Sequence, residues 1–405
     1  MKNSRMMCRR YRWNLSFRKG SIHFFMMVTM AVFSAASCAD RIQEVAGIRG
    51  VDLPVMPPVA GKAVQPGLAG PVAGVTESGL LVGGGANFEG EMPWRGGAKS
   101  YHDEIFLLET TEAEEPAWRM ASERLPYPMA YPACLSLKEG ILSMGGETVN
   151  GPVSDVFLLS VDKGKVVISP FPSLPCPLTS PGAALAGGKV YLAGGLDSSG
   201  AADAFMFLDP TETEKGWQRL PPLPVPLSHS VVAAQSDGNE QCIYLFGGRN
   251  KTTDVHTFFS DIWKFTPSTG EWTLEGNITK DGNPLPLSAG TGIAAGKNQI
   301  VLFGGDPGIY FNRTEMLNNV IALAEDSLKT DLLREKDSLL SNHPGFNREV
   351  MVYNTVRKSW AVIGEAPQGL PVTTVVFCRN DLVIIPGGEI RPGVRTPGIT
   401  AFRFK

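Results

Sequence analysis

The sequence predicts an all-β fold, a six-bladed β-propeller, and three observations predict it. Six apolar runs end in a glycine doublet: GLLVGGG (79–85), GILSMGG (140–146), KVYLAGG (189–195), CIYLFGG (242–248), QIVLFGG (299–305) and LVIIPGG (382–388). Most recur about 50–60 residues apart, a kelch-like period. Each repeat has the same order of parts: a Pro-bounded small-residue stretch, the apolar run, a polar loop, an aromatic strand such as DIWKF (261–265), and often a fourth element carrying Trp118, Trp217, Trp272 or Trp360. Four short strands with turn signals between them describe one blade. Glycine at both doublet positions permits positive φ and close backbone approach.

The chain of 405 residues would suggest two or three domains by length alone, but a ring grows by adding blades that pack on their neighbours. One domain spanning 45–405 is therefore expected. Residues 1–37 are different in kind. Seven basic residues and no acidic one lead into an apolar stretch from Ile22 to Ala36, too short and one-sided for a membrane span, which is the pattern of a secretory signal. Ala35, Ala36 and Ser37 precede Cys38 as at a bacterial lipoprotein processing site, so lipid attachment at Cys38 stands beside simple cleavage nearby. Export to the periplasm, or lipid anchoring in the cell envelope, is the expected location, and a lipid on Cys38 would be the membrane contact.

Removing the leader leaves 30 basic against 40 acidic residues, a net charge of about −10 from totals of 37 and 40. An acidic surface argues against nucleic acid as a partner. Cys134, Cys242 and Cys378 lie in or beside expected strands and Cys176 between prolines, without metal-like spacing. They read as buried small hydrophobes, with a disulfide as the alternative.

Residues 38–44 are expected to be a linker. The sixth doublet is followed by one strand, ITAFRF (399–404), so the last blade lacks its outer strand, and AGIRGVDLPVM (46–56) resembles the missing element. The N-terminal strand is therefore expected to complete the C-terminal blade and to remove a sheet edge. The interval between Gly305 and Gly388 is about 83 residues, and its excess contains Leu317, Val320, Ile321, Leu323, Leu328, Leu332 and Leu333 at partly helical spacing. A helical insertion over about 312–345 follows, with three open roles: lid, oligomer contact or decoration.

Function in a propeller gathers where the loops converge on the axis. The segments after the doublets supply Asn87, Glu147, Asp197, Arg249, Asp306 and Glu389. Of these, Asn87, Glu147, Arg249 and Asp306 are candidate substrate contacts. The last loop, GGEIRPGVRT (387–396), carries Glu389 and Arg395 around Pro392-Gly393, a turn that folds the two side chains toward each other. Arg395 could bind a carboxylate bidentately and Glu389 could exchange protons, although a surface ion pair fits the same spacing.

GGEIRPGVRT resembles the segment that carries the catalytic Glu and Arg in the N-acetylneuraminate epimerase family, the sialic acid mutarotases built on six-bladed kelch propellers. GGANFEGEMPWRGGAKSYHDEIFLL (84–108) and GGETVNGPVSDVFLL (145–159) resemble blades that follow that motif in the family, and the insertion resembles one that precedes it. The order is rotated, as in a cyclically permuted mutarotase. The resemblance implies interconversion of the α- and β-anomers of N-acetylneuraminate, with Glu389 and Arg395 as catalytic residues, a sugar acid as partner and no metal or redox cofactor. The alternative is a non-catalytic exported kelch module that binds carbohydrate or protein. The Ser-x-Asp-x-Gly-x-Thr-Trp repeats of sialidases are missing, and His102, His229, His256 and His343 show no copper-ligand spacing.

Overall fold

The computed structural model describes residues 44–405 apart from 60, 110–114 and 253. The leader, Cys38 and all but the last residue of the 38–44 linker lie outside the described residues. Six four-stranded antiparallel sheets make six blades. Blade 1 runs from Val72 to Arg124, blade 2 from Ala133 to Phe171, blade 3 from Gly182 to Arg219, blade 4 from Val231 to Asn277 and blade 5 from Thr291 to Glu365. Blade 6 takes three strands from Phe377–Phe404 and its fourth from Ile48–Val51, which pairs antiparallel with the last strand, Ile48 opposite Phe404 and Val51 opposite Ala401. The two ends of the domain are thus zipped into one ladder, the closure that the unpaired last repeat requires.

Six hydrophobic clusters hold the ring, one at each junction between neighbouring blades. Val72, Leu81 and Leu107 of blade 1 meet Ile141, Leu159 and Val166 of blade 2, and Val301, Phe303 and Val352 of blade 5 meet Val383, Ile385 and Phe402 of blade 6. Because both faces of each inner strand are covered by a neighbour, those strands read as continuous apolar runs rather than alternating ones. Outer-strand tryptophans fasten blades 1, 3, 4 and 5 to the blade before each. Trp118, Trp217, Trp272 and Trp360 donate their indole N–H to the carbonyls of Pro54, Pro172, Pro221 and Asn277.

Both glycines of every doublet have positive φ. At Gly247 a Cβ would lie 2.2 Å from the carbonyl oxygen of Leu287 in the next blade. No side chain fits there, so the doublet is required by the crowding between blades and does not mark an ordinary hairpin turn.

A second regularity lies inside the doublets. Gly70, Tyr131, Ser180, His229, Ala289 and Thr373, one per blade, all adopt left-handed backbone with φ between 51° and 59°. Each donates its N–H to the carbonyl of the equivalent residue in the preceding blade: Tyr131 to Gly70 at 2.7 Å, Ser180 to Tyr131 at 2.9 Å, His229 to Ser180 at 3.4 Å, Ala289 to His229 at 2.8 Å, Thr373 to Ala289 at 2.9 Å and Gly70 to Thr373 at 2.6 Å. The six bonds form a closed circle. The bulky members hold a conformation that costs roughly 1–2 kcal/mol for an L-residue because the circle and the packing around it fix them.

In blades 1 to 4 and 6 the doublet opens a short two-stranded hairpin. In blade 5 two helices stand in its place, α1 (Ile309–Leu323) and α2 (Asp326–Ser341). Glu315 of α1 accepts from Lys251 Nζ and from His256 N and Nδ1 of the blade 4 hairpin, and Asp337 of α2 accepts from Trp94 Nε1 and Arg95 Nε and Nη2 of the blade 1 hairpin. The insertion therefore spans loops from blade 4 to blade 1 on the doublet side of the ring. Among the described residues no helix is long and apolar enough to cross a membrane. Cys134 and Cys242 are free, Cys242 buried, whereas Cys378 is disulfide-bonded.

Candidate functional site

The residue after each doublet forms a bridge with the residue before the left-handed one in its own blade: Ala86 with Ala69, Glu147 with Ala130, Leu196 with Thr179, Arg249 with Ser228, Asp306 with Ser288 and Glu389 with Val372. These six positions are equivalent. Four carry charge, Glu147, Arg249, Asp306 and Glu389, and two are apolar. Asn87 and Asp197 lie one residue further on. The Asn87 amide donates to Gly67 O at 3.0 Å and its oxygen lies 2.9 Å from His102 Nε2, while Asp197 accepts from Ser199 within its own turn.

Glu389 and Arg395 face each other across the blade 6 hairpin, directly in register. Gly393, at φ 74°, makes the turn, and its N–H donates to Glu389 Oε1 at 2.8 Å. Arg395 Nη1 lies 2.8 Å from the same oxygen, with side-chain exposures of 5% for Arg395 and 18% for Glu389. The contact is an ion pair by distance, but its N–H directions miss the carboxylate. Arg395 Nε and Nη1 are therefore buried without a hydrogen-bond acceptor among the described residues. A buried donor in this state costs about 1–3 kcal/mol, which an incoming acceptor would recover. The ring of Phe88 lies 5.1 Å from the guanidinium.

Sequence reasoning missed the left-handed residues that complete the site. Burial raises the Tyr131 pKa; the charges of Lys99 and Arg395 oppose this and Glu389 adds to it, so the phenol stays protonated at neutral pH beside Arg395. Lys99 Nζ sits 5.0 Å from the Tyr131 ring and 3.0 Å from Glu147 Oε1, which also accepts from Tyr101 OH at 2.6 Å. Burial, and then the bond to Glu147, push the Tyr101 phenol up to about 12. Arg249 contacts His229 and the ring of Phe311. Burial raises the Asp306 pKa, opposed by its bond from Gly308 N–H and the charge of Arg249, with Glu389 adding to the rise. Charge interactions link Arg249, Asp306 and Glu389. The usable signal in the sequence was the aligned third position in Met129-Ala130-Tyr131, Leu178-Thr179-Ser180 and Leu227-Ser228-His229.

The arrangement offers a carboxylate that can exchange a proton, a buried guanidinium with unmet donors, and further cations and phenols around one axis. It suits a small polar ligand that carries hydroxyls and negative charge. Among the described residues no group of three or more His, Cys, Asp or Glu is placed to hold a metal ion.

A family described as N-acetylneuraminate epimerase matches residues 39–168 and 171–405. Among similar curated proteins are the N-acetylneuraminate epimerases of Salmonella arizonae and Salmonella typhi, each 25% identical over 228 residues that make up 56% of this chain and 56% of theirs. N-acetylneuraminate epimerase 1 of Escherichia coli O6:H1 is 26% identical over 245 residues, 58% of this chain and 59% of its own. The alignments thus span little more than half the length of these relatives.

Proposed function

Since the chain belongs to the N-acetylneuraminate epimerase family, we propose that it is a mutarotase that interconverts the α- and β-anomers of N-acetylneuraminate. The observation that carries this reading is the Glu389–Arg395 pair, a carboxylate next to a buried guanidinium whose Nε and Nη1 lack acceptors.

Glu389 takes the proton of the anomeric hydroxyl. The bond from the anomeric carbon to the ring oxygen breaks, its electron pair goes to the ring oxygen, and the Glu389 carboxyl delivers the proton to that oxygen. The open-chain keto acid turns about the bond to its carbonyl carbon; Glu389 then takes the proton back from the attacking hydroxyl as the C–O bond forms on the other face and passes it to the carbonyl oxygen, which becomes the new anomeric hydroxyl. Arg395 offers its unmet donors to the oxygen that gains negative charge during opening, where preorganised donors act most strongly. Tyr131, protonated and half-buried beside it, supplies a further donor. A closed ring keeps its axial site wherever the chain begins, so a rotated blade order is compatible with the activity. Action on a sugar acid in the bacterial cell envelope accords with the leader expected for residues 1–37.

NMR of freshly released α-N-acetylneuraminate tests the reading. Decay of the α-anomer should accelerate in proportion to protein concentration; decay at the buffer rate, with sugar still bound, would leave a non-catalytic binding module instead.

A further inference from the structure

Arg249 occupies in blade 4 the position that Glu389 occupies in blade 6, and its side chain is held in a different way from that of Arg395. The guanidinium carbon lies 4.7 Å from the centre of the Phe311 ring and 5.7 Å from that of Phe258. Its Nη2 lies 3.2 Å from His229 Nε2, and His229 Nδ1 lies 3.0 Å from Ser228 Oγ. Ser228 Oγ donates its single proton to the carbonyl of Arg249 at 3.2 Å, so toward His229 it can only accept. Nδ1 therefore carries the imidazole proton and Nε2 presents a lone pair to Arg249. The hydrogen bonds leave the Arg249 guanidinium, pass through His229 and Ser228, and return to the Arg249 backbone. Burial, and then the charge of Arg249, hold the His229 pKa well below its ordinary value, in keeping with a neutral ring.

A neutral acceptor orients a guanidinium without cancelling its charge. Asp306, Glu389 and Glu315 act on Arg249 from a distance, but no carboxylate among the described residues forms an ion pair with it. Arg395, by contrast, is compensated by Glu389 at 2.8 Å. Of the two site arginines, Arg249 is the one with positive charge to spare. We propose that Arg249, oriented by His229 and Ser228, is the receptor for the substrate carboxylate, which leaves Arg395 to serve Glu389 and the reacting oxygen. This inference rests on the mutarotase reading and names which group of the sugar acid goes where.

The test compares N-acetylneuraminate with its uncharged methyl ester, by calorimetry, on the full-length protein and on Arg249→Gln and Arg395→Gln. Wild type should prefer the acid roughly 10- to 100-fold, the range of a charge-assisted bidentate contact. Arg249→Gln should reduce that preference to under threefold while ester affinity changes little, and Arg395→Gln should keep it while mutarotation fails. Arg249→Lys, which retains charge but not the fork shared with His229, should lower the preference several-fold. His229→Asn, tolerated at positive φ, should raise KM for the acid with kcat maintained, a split that general loss of folding would not give. A preference that survives Arg249→Gln or is unmoved by Arg249→Lys overturns the assignment, as does one abolished by Arg395→Gln. Loss of binding to both sugars in wild type, with no acceleration of mutarotation, overturns the mutarotase reading as well.

Discussion

Replacing Glu389 by Gln separates the fold from the chemistry. The amide keeps an oxygen for the Gly393 N–H, 2.8 Å away in the native hairpin, so the turn should persist. What is lost is the charge opposite Arg395. Two unit charges about 4 Å apart attract by about 4 kcal/mol at an effective dielectric constant of 20, and breaking a buried pair typically costs about 3–5 kcal/mol. Because Glu389 is 18% exposed and Arg395 only 5%, the lower end applies after solvent screening, about 2–3 kcal/mol in urea denaturation. The rate should suffer more, about 10²- to 10⁴-fold in NMR-detected mutarotation, the usual contribution of a positioned base. A folded Glu389→Gln protein with at least half the native rate would remove Glu389 from the role of base. An unchanged urea midpoint would refute the energetic reading of the pair. The double variant with Arg395→Gln should be less destabilised than the sum of the singles, by about 1–2 kcal/mol, since neither charge is then left alone.

Three other outcomes follow from the geometry. His343 packs between Tyr310 and Phe346, and burial, with Arg391 adding, pulls its pKa to about 4. The unfolded imidazole therefore takes up a proton first, so stability is intact above pH 6.5 and falls by up to about 3 kcal/mol as pH drops toward 4; an NMR titration midpoint near 6.5 would contradict this. Gly393→Ala places a Cβ 2.8 Å from Pro93 Cδ at φ 74° and should cost about 1–3 kcal/mol and slow mutarotation, whereas a neutral urea curve would show that this turn is not constrained. Ile48→Ala trims the closing strand where it packs on the cluster between blades 5 and 6, and should lower stability by about 1–2 kcal/mol; a wild-type melting temperature would mean that the ring does not depend on that strand.

The architecture was legible because it is written locally and six times over. Doublets, apolar runs and Trp-bearing outer strands recur at aligned positions, and the lone strand after the sixth doublet calls for a partner that only the N-terminal segment supplies. Side-chain placement was less legible. Polarity alone drew attention to Asn87 and Asp197, but the positions matching Glu389 are Ala86 and Leu196, because the phase after the doublet is fixed by bridges to the same blade. Tyr131 and His229 were hidden for a deeper reason: their left-handed backbone is enforced by bonds to residues some 50 positions away, which no local propensity encodes. The insertion showed helical spacing but not its break at Ala324-Glu325, nor its anchorage through Glu315 and Asp337, which depends on loops from two other blades.

The circle of six backbone bonds has a consequence for evolution. It runs in a single sense around the axis and has no first or last member, so it registers six side-chain positions without asking what any of them is. A mutation that swaps one head group, such as Leu196 for an arginine, should leave the circle intact and deliver the new group to the same rim. Such a ring is a turret with six interchangeable mounts, on which the groups facing the axis can be exchanged one at a time while the frame stays constant.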